Sequence, residues 1–198
     1  MIRGDLSNRL IHLTKGNTLE EASANFFKIV REGKLIGSTG HIRGGYSCVC
    51  FSEAPISVLS QVLSNPTVRD MRYAPLGVMV RKQWLFEQGG RPVIYQAEEE
   101  FELLPDELKY RHVRYEPHRD IDHTWEREWR IQTQELVLDP TTVTFVVPTR
   151  EWEERFKQEH ADDQQGMALA LGDDAWLAVE KFRWHFIVLE DLGVEFQW

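Results

Sequence analysis

Hydrophobic and polar positions run in two rhythms along this chain. Residues 10–14, LIHLT, form a short apolar run of strand type. The following TLEEASANFFKIVREGKL changes to a helical period, with Ala22, Phe26, Phe27, Ile29 and Val30 at helical spacing. Thr18 and Glu21 have the spacing of a capping box, and Gly33 supplies the stop. GSTGHIRGGYS, 37–47, holds four glycines and predicts a loop, either mobile over a site or simply connecting. Strand rhythm returns in SCVCFS (47–52), LGVMVRK (76–82) and RPVIYQ (91–96), with a WLFEQGG turn between the last two. APISVLSQVLS, between the first two, reads as a helix ended at Asn65-Pro66. WEREWRIQT, a turn anchored by Pro140 and TVTFVVP (142–148) predict two adjacent strands. REWEERFKQEH (150–160) predicts a polar amphipathic helix broken by DDQQG, and WHFIVLED (184–191) a closing strand. About seven strands and two to four helices, out of regular alternation, indicate an α+β domain on a mostly antiparallel or mixed sheet.

Composition narrows this picture. A chain of 198 residues, 42% hydrophobic and 28% charged, with seven Trp and ten Phe, is long enough to bury one sizeable core and is expected to form a single domain over 1–198. No apolar run approaches bilayer length and MIRGDLSNRL lacks a signal-peptide core, so a cytoplasmic protein without membrane partners is expected. Cys48 and Cys50 share one face of a strand, cannot easily bridge, and make a poor zinc site; small buried core residues is the simpler reading.

A net charge of −9 argues against a protein that coats nucleic acid electrostatically. KYRHVRYEPHR, 109–119, runs against that total: Lys109, Arg111, Arg114 and Arg119 face a single acid, Glu116. It reads either as a solvated loop of mixed charge or as a patch for a nucleic acid.

The chemistry concentrates in WEREWRI, 125–131. Strict alternation would put Glu126, Glu128 and Arg130 on one face and anchor Trp125, Trp129 and Ile131 inward on the other. Two carboxylates about 7 Å apart would then address a cleft. One can grip a ribose hydroxyl and stabilise an oxocarbenium-like centre as a glycosidic bond breaks; the other can orient or deprotonate an acceptor. The same pattern also describes an exposed ion-pair ladder worth under about 1 kcal/mol. His12, at the end of an apolar strand, is either structural or a hydrogen-bonding partner for a ribose hydroxyl or a carboxamide. Ser52 and Glu53 follow the strand CVCF, where Glu53 suits a helix cap, and Tyr46 and Tyr73 either stack on a nicotinamide or adenine ring or simply pack.

The ordered set of a strand with His12, a helix ending in G-K-L, then C-V-C-F-S-E, R-Y-A-P-L-G-V-M-V and E-R-E-W-R-I resembles the bacterial ADP-ribosyltransferase-like domains of phage-defence and toxin systems. More distantly it resembles the DarT toxins, which modify DNA bases. The likeness spans residues 10 to about 131. It implies an ADP-ribosyltransferase-like split mixed or antiparallel sheet with flanking helices, and NAD as co-substrate. His12 would hold the nicotinamide-side ribose, Ser52 would support the pocket, Glu128 would be the catalytic acid, and Glu126 the acceptor-activating member of an E-x-E pair. Lys109 to Thr124 would be the substrate-facing loop, its basic residues meeting a nucleic acid or protein acceptor. Arg43 is the nearest match to the arginine with which DarT toxins grip NAD. The implied activity is mono-ADP-ribosyl transfer by a toxin or phage-defence effector, with an antitoxin or immunity protein as a possible partner. The alternatives are NAD hydrolysis alone, or a domain that has kept the fold, lost catalysis and serves as a binding or immunity partner.

Overall fold

A computed structural model describes residues 7–40, 42–55, 73–172 and 182–196. The first strand, β1 (Arg9–Leu13), buries Leu10, Ile11 and Leu13. Helix α1 (Leu19–Glu32) follows as its pattern demands. The Thr18 side chain accepts the Glu21 amide, Gly33 closes the helix in the left-handed region at φ 62°, and Ala22, Phe26 and Val30 form the buried stripe. After β2 (Lys34–Ile36) come β3 (Cys48–Ser52) and β4 (Gly77–Arg81). The expected helix over APISVLSQVLS lies almost wholly outside the described residues.

Helix α2 (Lys82–Glu87) occupies most of the segment expected to turn. RPVIYQ does not run as one strand: β5 (Arg91–Pro92) and β6 (Ile94–Gln96) join different sheets. Helix α3 (Asp106–Lys109), β7 (His112–Arg114), β8 (Glu128–Gln132), β9 (Glu135–Val137), β10 (Val143–Val147), α4 (Arg150–Leu171) and β11 (His185–Val188) complete the chain order. DDQQG does not break α4, which continues to Leu171; Asp and Gln only weakly oppose helix, and Gly166 alone costs about 1 kcal/mol.

Seven strands form one mixed sheet in the order β11-β10-β4-β1-β3-β8-β5. Its pairs are antiparallel except β10 with β11. Two further pairs, β2 with β9 and β6 with β7, lie apart. The architecture is therefore α+β on a mixed sheet. The expected adjacency of the WEREWRIQT and TVTFVVP strands does not occur, because β8 lies against β3 and β5 while β10 lies against β4 and β11. The main core joins α1, α4 and the sheet through Phe26, Phe145 and Phe156, with Phe26 edge-on to both other rings. No helix of the described residues is long and apolar enough to cross a membrane.

One seam of the sheet is different. β1 matches β4 over five residue pairs, yet meets β3 at a single one, Ile11 with Ser52. Beyond that pair the ladder is not continued, and the His12 ring reaches the Cys50 carbonyl at 2.8 Å. The sheet is thus nearly divided between β1 and β3.

Candidate active site

A cleft of about 960 Å³ lies along that seam, lined by His12 and Thr14 from β1 and its exit, Cys50 and Ser52 from β3, and Glu128 and Arg130 from β8. A carbonyl only accepts, so Nδ1 of His12 carries the proton that meets Cys50. Burial lowers the pKa of this imidazole, outweighing the hydrogen bond that favours the charged ring. The neutral ring then keeps Nε2 as an acceptor.

Glu128 opens β8 directly opposite Ser52. Its carboxylate receives Nε of Arg130 at 2.8 Å and Nη2 at 3.2 Å, while Nη1 of the same guanidinium donates to the carbonyls of Tyr110 and His112. The arginine is thereby fixed from both sides, and it holds the Glu128 carboxyl group in a set position. The Glu128 amide donates to the Tyr95 hydroxyl at 3.1 Å. Burial raises the pKa of both neighbouring thiols, Cys48 to about 11 and Cys50 further, with the Glu128 charge and a hydrogen bond to Glu128 adding to the shift at Cys50. Both stay neutral thiols and poor nucleophiles at pH 7.

Glu126 is not on the strand. Thr124–Glu126 form a 3₁₀ turn, and Arg127 adopts a left-handed conformation, φ 46°, before β8 begins. That turn interrupts the alternation expected over 125–131. Trp125 consequently stays 40% exposed and lines the cleft instead of anchoring the core, whereas Trp129 and Ile131 are buried as expected. Glu126 and Glu128 still face one cleft. The Ser52 hydroxyl donates to the Glu126 carbonyl at 2.6 Å and accepts the Ala54 amide, pinning the turn to β3. Burial, followed by the charge of Glu128, raises the pKa of Glu126. The Tyr73 hydroxyl donates toward both of its oxygens at 3.3 and 3.4 Å, and burial together with Glu126 drives the Tyr73 pKa well up.

The remaining expected residues divide. Arg43 lines the cleft but is already engaged with Glu98 and Glu102 and stacks over Phe101 at 4.1 Å. Tyr46 is not among the lining residues; it packs against Gly44. Glu53 points elsewhere, accepting Nε1 of Trp129 at 2.8 Å and pairing with Lys82. In the basic segment Lys109 pairs with Asp106, Arg111 donates to the Pro92 carbonyl, and Arg114 and Arg119 both bind Glu116. Its positive charge is largely consumed inside the molecule.

Sequence reasoning missed Tyr95, His123 and Lys15. Nothing local marks Tyr95; it acts through its hydroxyl from a strand of another sheet. Lys15 follows His12 by three residues, lies 5.0 Å from the Tyr73 ring centre and lines the cleft. Compared with known proteins, the chain matches no family model, no curated protein and no solved structure.

Proposed function

We propose that this chain transfers ADP-ribose from NAD to a macromolecular acceptor, on a split sheet of the ADP-ribosyltransferase-like kind. The observation that carries the reading is the convergence of His12, Ser52, Glu126 and Glu128, from three distant parts of the chain, on one cleft where the sheet nearly divides. Its volume suits a dinucleotide.

The chemistry follows from the side chains. Neutral His12 offers Nε2 to a ribose hydroxyl of the donor. Glu128, held in place by Arg130, accepts a hydrogen bond from the ribose and stabilises the positive charge that develops as the bond between the sugar carbon and nicotinamide breaks. The bonding electron pair leaves with nicotinamide. Glu126, with its raised pKa, receives the proton of the nucleophile that attacks the same carbon. Water as that nucleophile would make the protein an NAD glycohydrolase, and a site without turnover would make it a binding or immunity partner. A toxin or phage-defence role with an antitoxin rests on the sequence resemblance.

NAD labelled separately in nicotinamide and in adenylate, incubated with the protein and a cell extract, tests the reading. Wild type is expected to release nicotinamide and leave adenylate label on macromolecules. Glu128→Gln should slow release by about 10²–10³-fold. Label recovered solely as free ADP-ribose would identify hydrolysis, and the absence of nicotinamide release from wild type would overturn both enzymatic readings.

A further inference from the structure

A second pocket, about 620 Å³, shares no lining residue with the cleft. Asn8, Arg9, Arg81, Lys82 and Gln83 supply its polar wall, Phe86 and Trp129 its aromatic one. Arg9 and Arg81 are direct partners across β1 and β4, so two like charges stand side by side on adjacent strands. That arrangement costs stability in the absence of an anion. Among the described residues neither guanidinium has a carboxylate at ion-pair distance. The acids nearby are engaged otherwise: Glu53 with Lys82 and Trp129, Glu87 with Gln83. Arg91, which donates to the carbonyls of Phe86 and Gly90, is stacked 3.9 Å over the Phe86 ring, and Phe86 remains 50% exposed.

This is the inverse of the 109–119 segment. There, the cations that looked available in the sequence are tied to Asp106, Glu116 and a carbonyl. Here, two arginines far apart in the sequence, Arg9 and Arg81, are brought together by strand pairing, beside an exposed ring. A phosphate between Arg9 and Arg81 would relieve their repulsion, and a base could stack on the neighbouring aromatic and guanidinium surface. Electropositive groups next to a stacking platform are the pattern by which single strands are held without sequence preference.

We propose that this pocket binds a nucleotide unit of a single-stranded nucleic acid, the phosphate on Arg9 and Arg81 and the base against Phe86 and Arg91. The inference stands apart from the cleft chemistry and survives if the cleft does not turn over NAD.

Fluorescence anisotropy of labelled DNA and RNA 12-mers with the full chain, at low and moderate salt, tests it, with AMP and a poly-glutamate peptide as competitors. Binding that weakens with salt, falls at least tenfold in Arg81→Glu and several-fold in Phe86→Ala, and is unaffected by Lys109→Glu is the expected result. Arg81 is exposed, so its replacement leaves the fold intact, which circular dichroism verifies. NAD turnover should be the same in Arg81→Glu and wild type, which separates this site from the cleft. Absence of oligonucleotide binding at low salt, equal binding by Arg81→Glu, or displacement by poly-glutamate but not by AMP would each overturn the proposal.

Discussion

Glu116 and Glu126 stand ten residues apart, both withdrawn from water, and their proton affinities are driven in opposite directions. Glu116 receives the Arg114 guanidinium at 2.6 Å, Arg119 at 3.2 Å and the Glu98 amide at 3.2 Å; these donors, Arg114 foremost, hold its pKa down at about 2. Glu126 has the Tyr73 hydroxyl at the limit of hydrogen bonding and the negative charge of Glu128 beside it. Burial raises its pKa, and the distant charges of His123 and Lys15 only partly offset this. The number and charge of the donors, not the residue type, decide which glutamate is a fixed structural anion and which is ready to take a proton.

Substitution should separate the two most sharply. Glu126→Ala is expected to reduce macromolecular labelling by about 10²-fold or more while sparing NAD hydrolysis, because attacking water can pass its proton to bulk solvent in place of Glu126, whereas an enclosed macromolecular acceptor needs the base. Its melting temperature should stay close to that of wild type, since the change relieves a raised acid next to Glu128. Glu116→Gln should do the reverse. It deprives two arginines of their anion and lowers the melting temperature by several degrees, with the rate of nicotinamide release per folded molecule retained. Equal loss of labelling and hydrolysis in Glu126→Ala would remove its role as the acceptor-side base.

Acid titration is the next largest effect. A carboxylate with a depressed pKa contributes stability that is fully present above its ordinary value near 4.5 and is lost as pH falls toward about 2. Glu126 acts with the opposite sign: its raised pKa costs stability above the raised value, and the cost disappears below 4.5. Thermal melts between pH 3 and 7 should therefore show wild type losing stability toward acid more steeply than Glu116→Gln. Parallel curves for the two would show that protonation of Glu116 does not set the loss of stability in acid.

Local periodicity carried the elements that are amphipathic by themselves. α1 with its Thr18 and Gly33 caps, and the strands around Leu10, Val49, Val78 and Phe145, lie where their patterns put them. Strand order did not follow, because neither β8 nor β10 contains anything that selects its partner, and the two end up on opposite sides of β1 and β3. The site was half visible. Alternation over 125–131 brought Glu126 and Glu128 toward one cleft, but a left-handed Arg127, which no residue preference announces, carries Glu126 on a turn and exposes Trp125. The basic segment misled for the same reason in reverse: a charge count cannot see that Glu116 folds back beneath Arg114 and Arg119.

The smallest expected effect concerns Tyr73, whose sequence context allows either a ring stacked on nicotinamide or adenine or a packing residue, and whose hydroxyl is found on Glu126. If that hydrogen bond is its main contribution, Tyr73→Phe removes a donor that favours the charged carboxylate and pushes the Glu126 pKa higher still. The acidic limb of the pH profile for macromolecular labelling then moves toward neutrality, while the plateau rate falls by at most about tenfold, the worth of a single hydrogen bond between a phenol and a carboxylate. The KM for NAD stays the same. A ring that stacks on the donor would give a different outcome, because Phe retains the stacking surface and neither limb nor plateau would move. A Tyr73→Ala variant completes the test: an unchanged KM in Ala with a shifted limb in both variants assigns Tyr73 to Glu126, whereas a raised KM in Ala alone returns it to the donor ring.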